Sequence, residues 1–238
     1  MSILELVELR KSYGALAVTQ DFSLTVDRGD LVGILGPNGA GKTTLFNQIT
    51  GTVSPDNGEV RFEGVNITSM DASKRCKLGI ARSFQVPHPF EGMTVYENIL
   101  VGATFGRSSS DPQKYALEIM DKTGMGDKAN QLAGSLTLLD RKRLEMARAL
   151  AADPKLLLLD EIAGGLTDSE CKSLLETIRD VNESGVTIIW IEHVVHALMS
   201  VAKQLVVIDF GRKVTEGDPE AVMNSPEVKS IYMGEDAA

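Results

Sequence analysis

The segment Gly36-Pro37-Asn38-Gly39-Ala40-Gly41-Lys42-Thr43-Thr44 constrains this chain more than any other. It has the spacing of a phosphate-binding loop: Gly, four residues, then Gly-Lys-Thr. An apolar run, Leu31–Leu35, precedes it, and Lys42–Thr50 predicts a helix. The glycines let the backbone curl so that successive N–H groups converge, and the positive end of the following helix faces the same point. Lys42 can reach β- and γ-phosphates, and the Thr43 hydroxyl is a hard oxygen suited to Mg²⁺. A ligand-free glycine turn is the alternative, and the strand-loop-helix context argues against it.

Alternation and apolar clustering predict strands at 3–9, 22–26, 60–62, 156–159, 186–191 and 205–208. Thr94-Val95-Tyr96-Glu97 has a capping-box pattern and opens a helix, residues 111–122 suggest a second, and residues 141–152 a third that stops before Pro154. Thr167 with Glu170 three positions on caps a helix that carries Leu174, Ile178 and Val181 on one face and ends at Gly185. Asp218-Pro219 and Ser225-Pro226 each place proline just after an N-cap. Strands alternating with helices predict an α/β fold around a parallel sheet, interrupted by a mostly helical lobe.

A carboxylate at the end of another buried strand should complete a Mg-nucleotide site. Asp160, after the apolar 156–159, supplies it and would hold Mg²⁺ directly or through water. Glu161 is placed to polarise an attacking water as general base. The same pair could instead cap the next helix, a reading weakened by the phosphate loop upstream.

Composition narrows the partners. With 24 basic against 33 acidic residues and a net charge of −9, the chain is a poor candidate for nucleic-acid binding. Cys76 and Cys171 form no CxxC pair, which fits a reduced, cytosolic chain. The charged N-terminal segment lacks a signal-peptide core, and no apolar run is long enough to span a bilayer. A membrane role would fall to a partner subunit.

In this order the pieces resemble an ABC-type ATPase subunit over nearly the whole chain. The resemblance implies a single nucleotide-binding domain over 1–238. It would have a P-loop NTPase core of mixed and parallel sheet with an N-terminal antiparallel β subdomain, at about 1–86 and 153–238, and an inserted helical lobe at about 87–152. It also implies roles for residues that the loop alone does not explain. Tyr13 falls where the family stacks an aromatic on adenine, with Val18 beside it, although an ordinary surface tyrosine is the alternative. Gln85, in Ala81-Arg82-Ser83-Phe84-Gln85, matches the glutamine loop, whose amide oxygen can touch Mg²⁺ or the attacking water. His193 matches the switch histidine, where a neutral imidazole could bond the γ-phosphate. His196 three residues on suggests a metal pair, which the lack of further ligands argues against.

The signature segment departs from the family's Leu-Ser-Gly-Gly-Gln type. Here it is Leu136-Thr137-Leu138-Leu139-Asp140, with leucines in place of glycines that allow close backbone approach. Thr137 keeps a hydroxyl for a γ-phosphate, Asp140 adds negative charge, and Arg141-Lys142-Arg143 either offsets that charge or forms a solvated basic face. In this family the signature of one subunit completes the ATP site of the other. Leu166-Thr167-Asp168 also departs from the family's usual Leu-Asp.

Local segments look like ATP-binding subunits of branched-chain amino acid importers. They are residues 81–85, 143–150, Ala163-Gly164-Gly165-Leu166, Ile191-Glu192-His193, Gly217-Asp218-Pro219 and Ile231-Tyr232-Met233-Gly234-Glu235. That resemblance implies ATP and Mg²⁺ as cofactors and a second ABC ATPase subunit, identical or related. It also implies integral-membrane permease subunits, an extracytoplasmic solute-binding protein met only indirectly, and a peripheral place on the cytoplasmic face of the membrane. The permease dock would be the apolar stretch 84–96 if exposed, and lobe core if buried. The alternatives are an ATP-binding subunit of another ABC transporter, a module that binds ATP and dimerises but hydrolyses poorly because its signature has drifted, and a soluble ABC protein of ribosomes or DNA repair, which usually carries two cassettes or a long coiled insertion.

Overall fold

The computed structural model describes residues 1–107 and 111–233. The last two residues of the resembling tail, Gly234 and Glu235, lie outside them. In chain order the elements begin with β1 (Ser2–Tyr13), β2 (Leu16–Asp27), β3 (Leu31–Leu35), α1 (Lys42–Thr50), β4 (Asn57–Phe62) and β5 (Val65–Asn66). Next come α2 (Ala72–Leu78), β6 (Ile80–Arg82), α3 (Val95–Phe105), α4 (Pro112–Lys122), α5 (Leu138–Ala151), β7 (Leu156–Asp160) and α6 (Asp168–Glu183). The chain closes with β8 (Thr187–Ile191), α7 (Val195–Val201), β9 (Gln204–Asp209), β10 (Arg212–Gly217), α8 (Pro219–Asn224) and α9 (Pro226–Met233).

These elements form two compact units, residues 1–71 with 189–238, and residues 72–188. In the first, β2, β1, β4 and β5 form an antiparallel sheet in that order. The β1–β2 hairpin is longer than the apolar alternation indicates, because its outer residues pair through backbone and polar contacts such as Arg10–Asp21, while Leu4, Leu6, Phe22 and Leu24 supply the buried face. Beside it β3 runs parallel to β9, and β9 antiparallel to β10. All five residues of β3 are buried, as a continuous apolar run requires.

In the second unit β6 pairs with β7 in parallel, and β7 is buried along its whole length. The three predicted helices of this region are α3, α4 and α5. Thr94 closes a full capping box with Glu97, and Thr167 another with Glu170. Helix α6 buries Leu174, Ile178 and Val181 as its periodicity predicts. Helix α5 begins at Leu138, three residues before the predicted start, because Thr137 caps it through Asp140 and leucines stand where glycines would loosen the first turn. The short elements β5, α2, β6, α7 and β10 carried too little periodicity to be read from the sequence.

Candidate functional site: a phosphate loop and a carboxylate strand end

The phosphate loop, residues 36–44, leaves β3 and enters α1. Two of its glycines are obligatory for close approach. A Cβ on Gly36 would lie 2.2 Å from the Ile208 carbonyl oxygen, and one on Gly41, already at φ +100°, would lie 2.3 Å from that of Val18. Gly41 caps α1 with no side-chain hydrogen bond, and the first turn holds no acidic residue. No side chain caps the helix N-terminus, which is the arrangement that suits an anion. Lys42 is buried, and its Nζ donates to the carbonyls of Gly36 at 2.7 Å and Pro37 at 3.0 Å.

The same unit carries three other predicted residues. Val18 runs against Gly41 through its backbone carbonyl. Tyr13 ends β1 half-exposed, with the Lys11 ammonium 5.6 Å from its ring centroid. His193 is exposed just after β8, and its Nδ1 lies 3.2 Å from Glu192 Oε1. Glu192 is fully buried, accepts the His193 backbone N–H at 3.0 Å, and donates its own backbone N–H to Ile34 of β3 at 3.3 Å. A buried carboxylate thus lies beside Nδ1, with Nε2 on the opposite edge of the ring.

The second unit carries the carboxylates. Asp160 ends β7, buried, with Oδ2 2.5 Å from Arg82 Nη2. Beyond the β6–β7 ladder the two segments stay joined. Ser83 donates its backbone N–H to Leu158 at 2.9 Å, and Asp160 donates its own to Ser83 Oγ at 3.4 Å. Gln85 Nε2 donates to Glu161 Oε2 at 2.5 Å. Glu161 adopts φ +46°, a left-handed conformation costly for a side chain of its size. Lys142, buried on α5, donates to its carbonyl at 3.2 Å. Predicted residues Gln85, Asp160 and Glu161 are therefore brought together. Among the described residues no group of three or more His, Cys, Asp or Glu side chains could hold a metal. Asp160 in this unit and Thr43 in the other are each hard oxygen donors of the kind Mg²⁺ takes when its remaining ligands are phosphates and water.

Glu145 of α5 braces the glutamine-loop segment. Its carboxyl is pushed up by burial and drawn back by Arg148 and by the backbone N–H groups of His88 and Phe84. Arg148 also donates to the His88 carbonyl at 2.8 Å and lies 5.0 Å from the Phe90 ring centroid. The apolar stretch 84–96 divides between the two readings given to it. Phe84, Val86 and Phe90 are exposed, while Val95 is lobe core.

In the signature segment Thr137 Oγ1 donates to Asp140 Oδ2 at 2.8 Å, so the hydroxyl is engaged within its own helix turn. Asp140 is buried and ion-paired with Lys128. The basic run does neither of the two things expected of it. Arg141 donates to the Leu136 and Gly134 carbonyls, Lys142 to Glu161, and Arg143 to Ser173 Oγ. These side chains take acceptors from other segments, and Lys128 forms the ion pair with Asp140. Leu138 is half-exposed against Gly165.

The sequence profile described as "ABC transporter" matches residues 19–164, more than half of the chain. The chain belongs to the ABC transporter family. It is 34% identical to the high-affinity branched-chain amino acid transport ATP-binding protein BraF of Pseudomonas aeruginosa, over 98% of each chain. It is 35% identical to the lipopolysaccharide export system ATP-binding protein LptB of Haemophilus influenzae, over 99% of this chain and 98% of that one. Solved cassettes of ABC transporters, one nucleotide-free and one in an ADP conformation, each superpose with a TM-score of 0.90 at 30% identity. Each covers 99% of this chain and all of its own. This ABC protein is accordingly an ATP-binding, ATP-hydrolysing subunit with the P-loop NTPase fold of the family. Among its described residues no helix is long and apolar enough to cross a membrane.

Within this ABC cassette the residues that sequence reasoning missed are Arg82, Lys142, Glu145 and Glu192. All but Lys142 lie in segments that carried the family resemblance, but a charged residue in a motif reveals no partner until the chain is folded.

Proposed function

We propose that this cassette binds Mg-ATP through residues 36–44 and hydrolyses it to drive branched-chain amino acid import through partner permease subunits. What supports the ATPase part is an N-terminus of α1 without a side-chain cap in one unit and, in the other, a carboxylate pair held by Arg82 and Gln85. Lys42 leaves its loop carbonyls for the β- and γ-phosphates. Thr43 and Asp160, with Gln85 beside them, would hold Mg²⁺, whose charge would offset that of the phosphates. Glu161 takes the proton of the attacking water, and His193, beside Glu192, faces the γ-phosphate. Tyr13 stacks on the adenine with Val18 beside it. The core at about 1–86 and 153–238 works with a helical lobe at about 87–152.

Two cassettes, identical or related, would close on the nucleotide, each signature completing the other's site. Engaged Thr137 and bulky Leu138 and Leu139 then weaken the site they complete in the partner, not the site in this chain. Restoring glycine at both 138 and 139 is expected to raise turnover of the assembled pair several-fold, about 1 kcal/mol of transition-state stabilisation. Unchanged turnover would argue against this role for the signature.

Similarity to BraF, and to LivG of Escherichia coli at 32% identity over 95% of this chain, supports amino acid import. The LptB similarity supports a second reading, a subunit of an export system at the cytoplasmic face of a membrane. The exposed Phe84, Val86 and Phe90 are the surface we assign to the permease. Co-purification from native membranes, with identification of the bound subunits, separates the readings. Permease chains with an associated amino acid binding protein support import, and lipopolysaccharide-export subunits would overturn it.

A further inference from the structure

Burying Arg82 against Asp160 is hard to justify as a stabilising device. Their side chains are 8% and 4% exposed, and desolvating both ions offsets most of their attraction. An apolar pair of similar volume would hold β6 to β7 as well. What an ion pair adds is direction. The planar guanidinium fixes Oδ2 of Asp160 at 2.5 Å and so sets how the carboxylate is turned. The cation is itself held from outside, with its Cζ 5.2 Å from the centroid of the half-exposed Phe84 ring. Phe84 is followed directly by Gln85, which is bonded to Glu161.

We infer that Arg82 is a positioning residue for Asp160, orienting its carboxylate for Mg²⁺, and that Phe84 holds Arg82 in place to do so. The inference rests on the Mg-ATP reading of Asp160. It places a surface ring and a buried metal-binding carboxylate on one rigid connection. Displacement of Phe84 is thereby transmitted to the carboxylate through a single side chain.

The test is a Mg²⁺ titration of ATP binding to the full-length chain, which does not depend on turnover. Arg82→Met is expected to raise the half-saturating Mg²⁺ concentration about fivefold, the worth of one net hydrogen bond. Arg82→Lys keeps the charge without the planar fork and is expected to raise it at least about twofold. Phe84→Ala, at an exposed position, should shift it in the same direction. ATP binding without Mg²⁺ should stay within about twofold of wild type in all three. Wild-type Mg²⁺ dependence in a folded Arg82 variant overturns the inference. So does a fall in Mg²⁺-free binding that matches the loss with Mg²⁺, since that marks a structural role alone. Asp160→Asn separates the two levels. If it too leaves Mg²⁺ dependence unchanged, the reading of Asp160 fails and the inference falls with it.

Discussion

Replacing Glu161 by glutamine is expected to lower steady-state ATP turnover by about a hundredfold or more, the usual worth of a positioned general base. ATP affinity should stay close to wild type. The substitution is nearly isosteric, and the amide oxygen can still accept the hydrogen bond that Gln85 now gives to Oε2. The left-handed backbone at φ +46° and the Lys142 bond to the 161 carbonyl do not depend on the side chain, so the turn should persist. Steady-state phosphate release measured beside equilibrium ATP binding checks both halves. Equal turnover in wild type and Glu161→Gln would leave an ATP-dependent dimerising module with a different water activator.

Lys42→Ala should act on the opposite quantity. Its ammonium is buried and already satisfied by the Gly36 and Pro37 carbonyls, so it is poised a short swing from any phosphate in the loop. Losing hydrogen bonds to a charged phosphate costs about 1.5–3 kcal/mol, so ATP binding is expected to weaken about ten- to a hundredfold. The loop should survive, because Gly41 and Gly36 are fixed by backbone packing against Val18 and Ile208. A thermal melt without nucleotide, compared with ATP binding by equilibrium titration, distinguishes these effects. An unchanged affinity would remove Lys42 from the site.

Much of the site was legible because its chemistry is written in short contiguous segments. Residues 36–44 carry their spacing, their glycines and their flanking elements together. Asp160 was singled out because a phosphate loop calls for a carboxylate at the end of another buried strand, and the apolar run 156–159 ends in one. The exposure of Phe84 and burial of Val95 were not legible, since both are apolar residues in one stretch. Nor was the fate of Arg141-Lys142-Arg143, because each side chain takes an acceptor from a different segment.

By itself, then, the sequence determined the phosphate loop, the strand-end carboxylates, the two capping boxes and the family. These depend on backbone geometry and periodicity over a few residues. Only the tertiary structure decided who holds the site residues. Arg82 turns Asp160 across 78 positions of chain, and Lys128 rather than the neighbouring arginines neutralises Asp140. Burial of Glu192 beside its sequence neighbour His193 was likewise decided by the fold. Charged side chains are long and find partners by proximity in space, and sequence spacing encodes that only after the strands have paired.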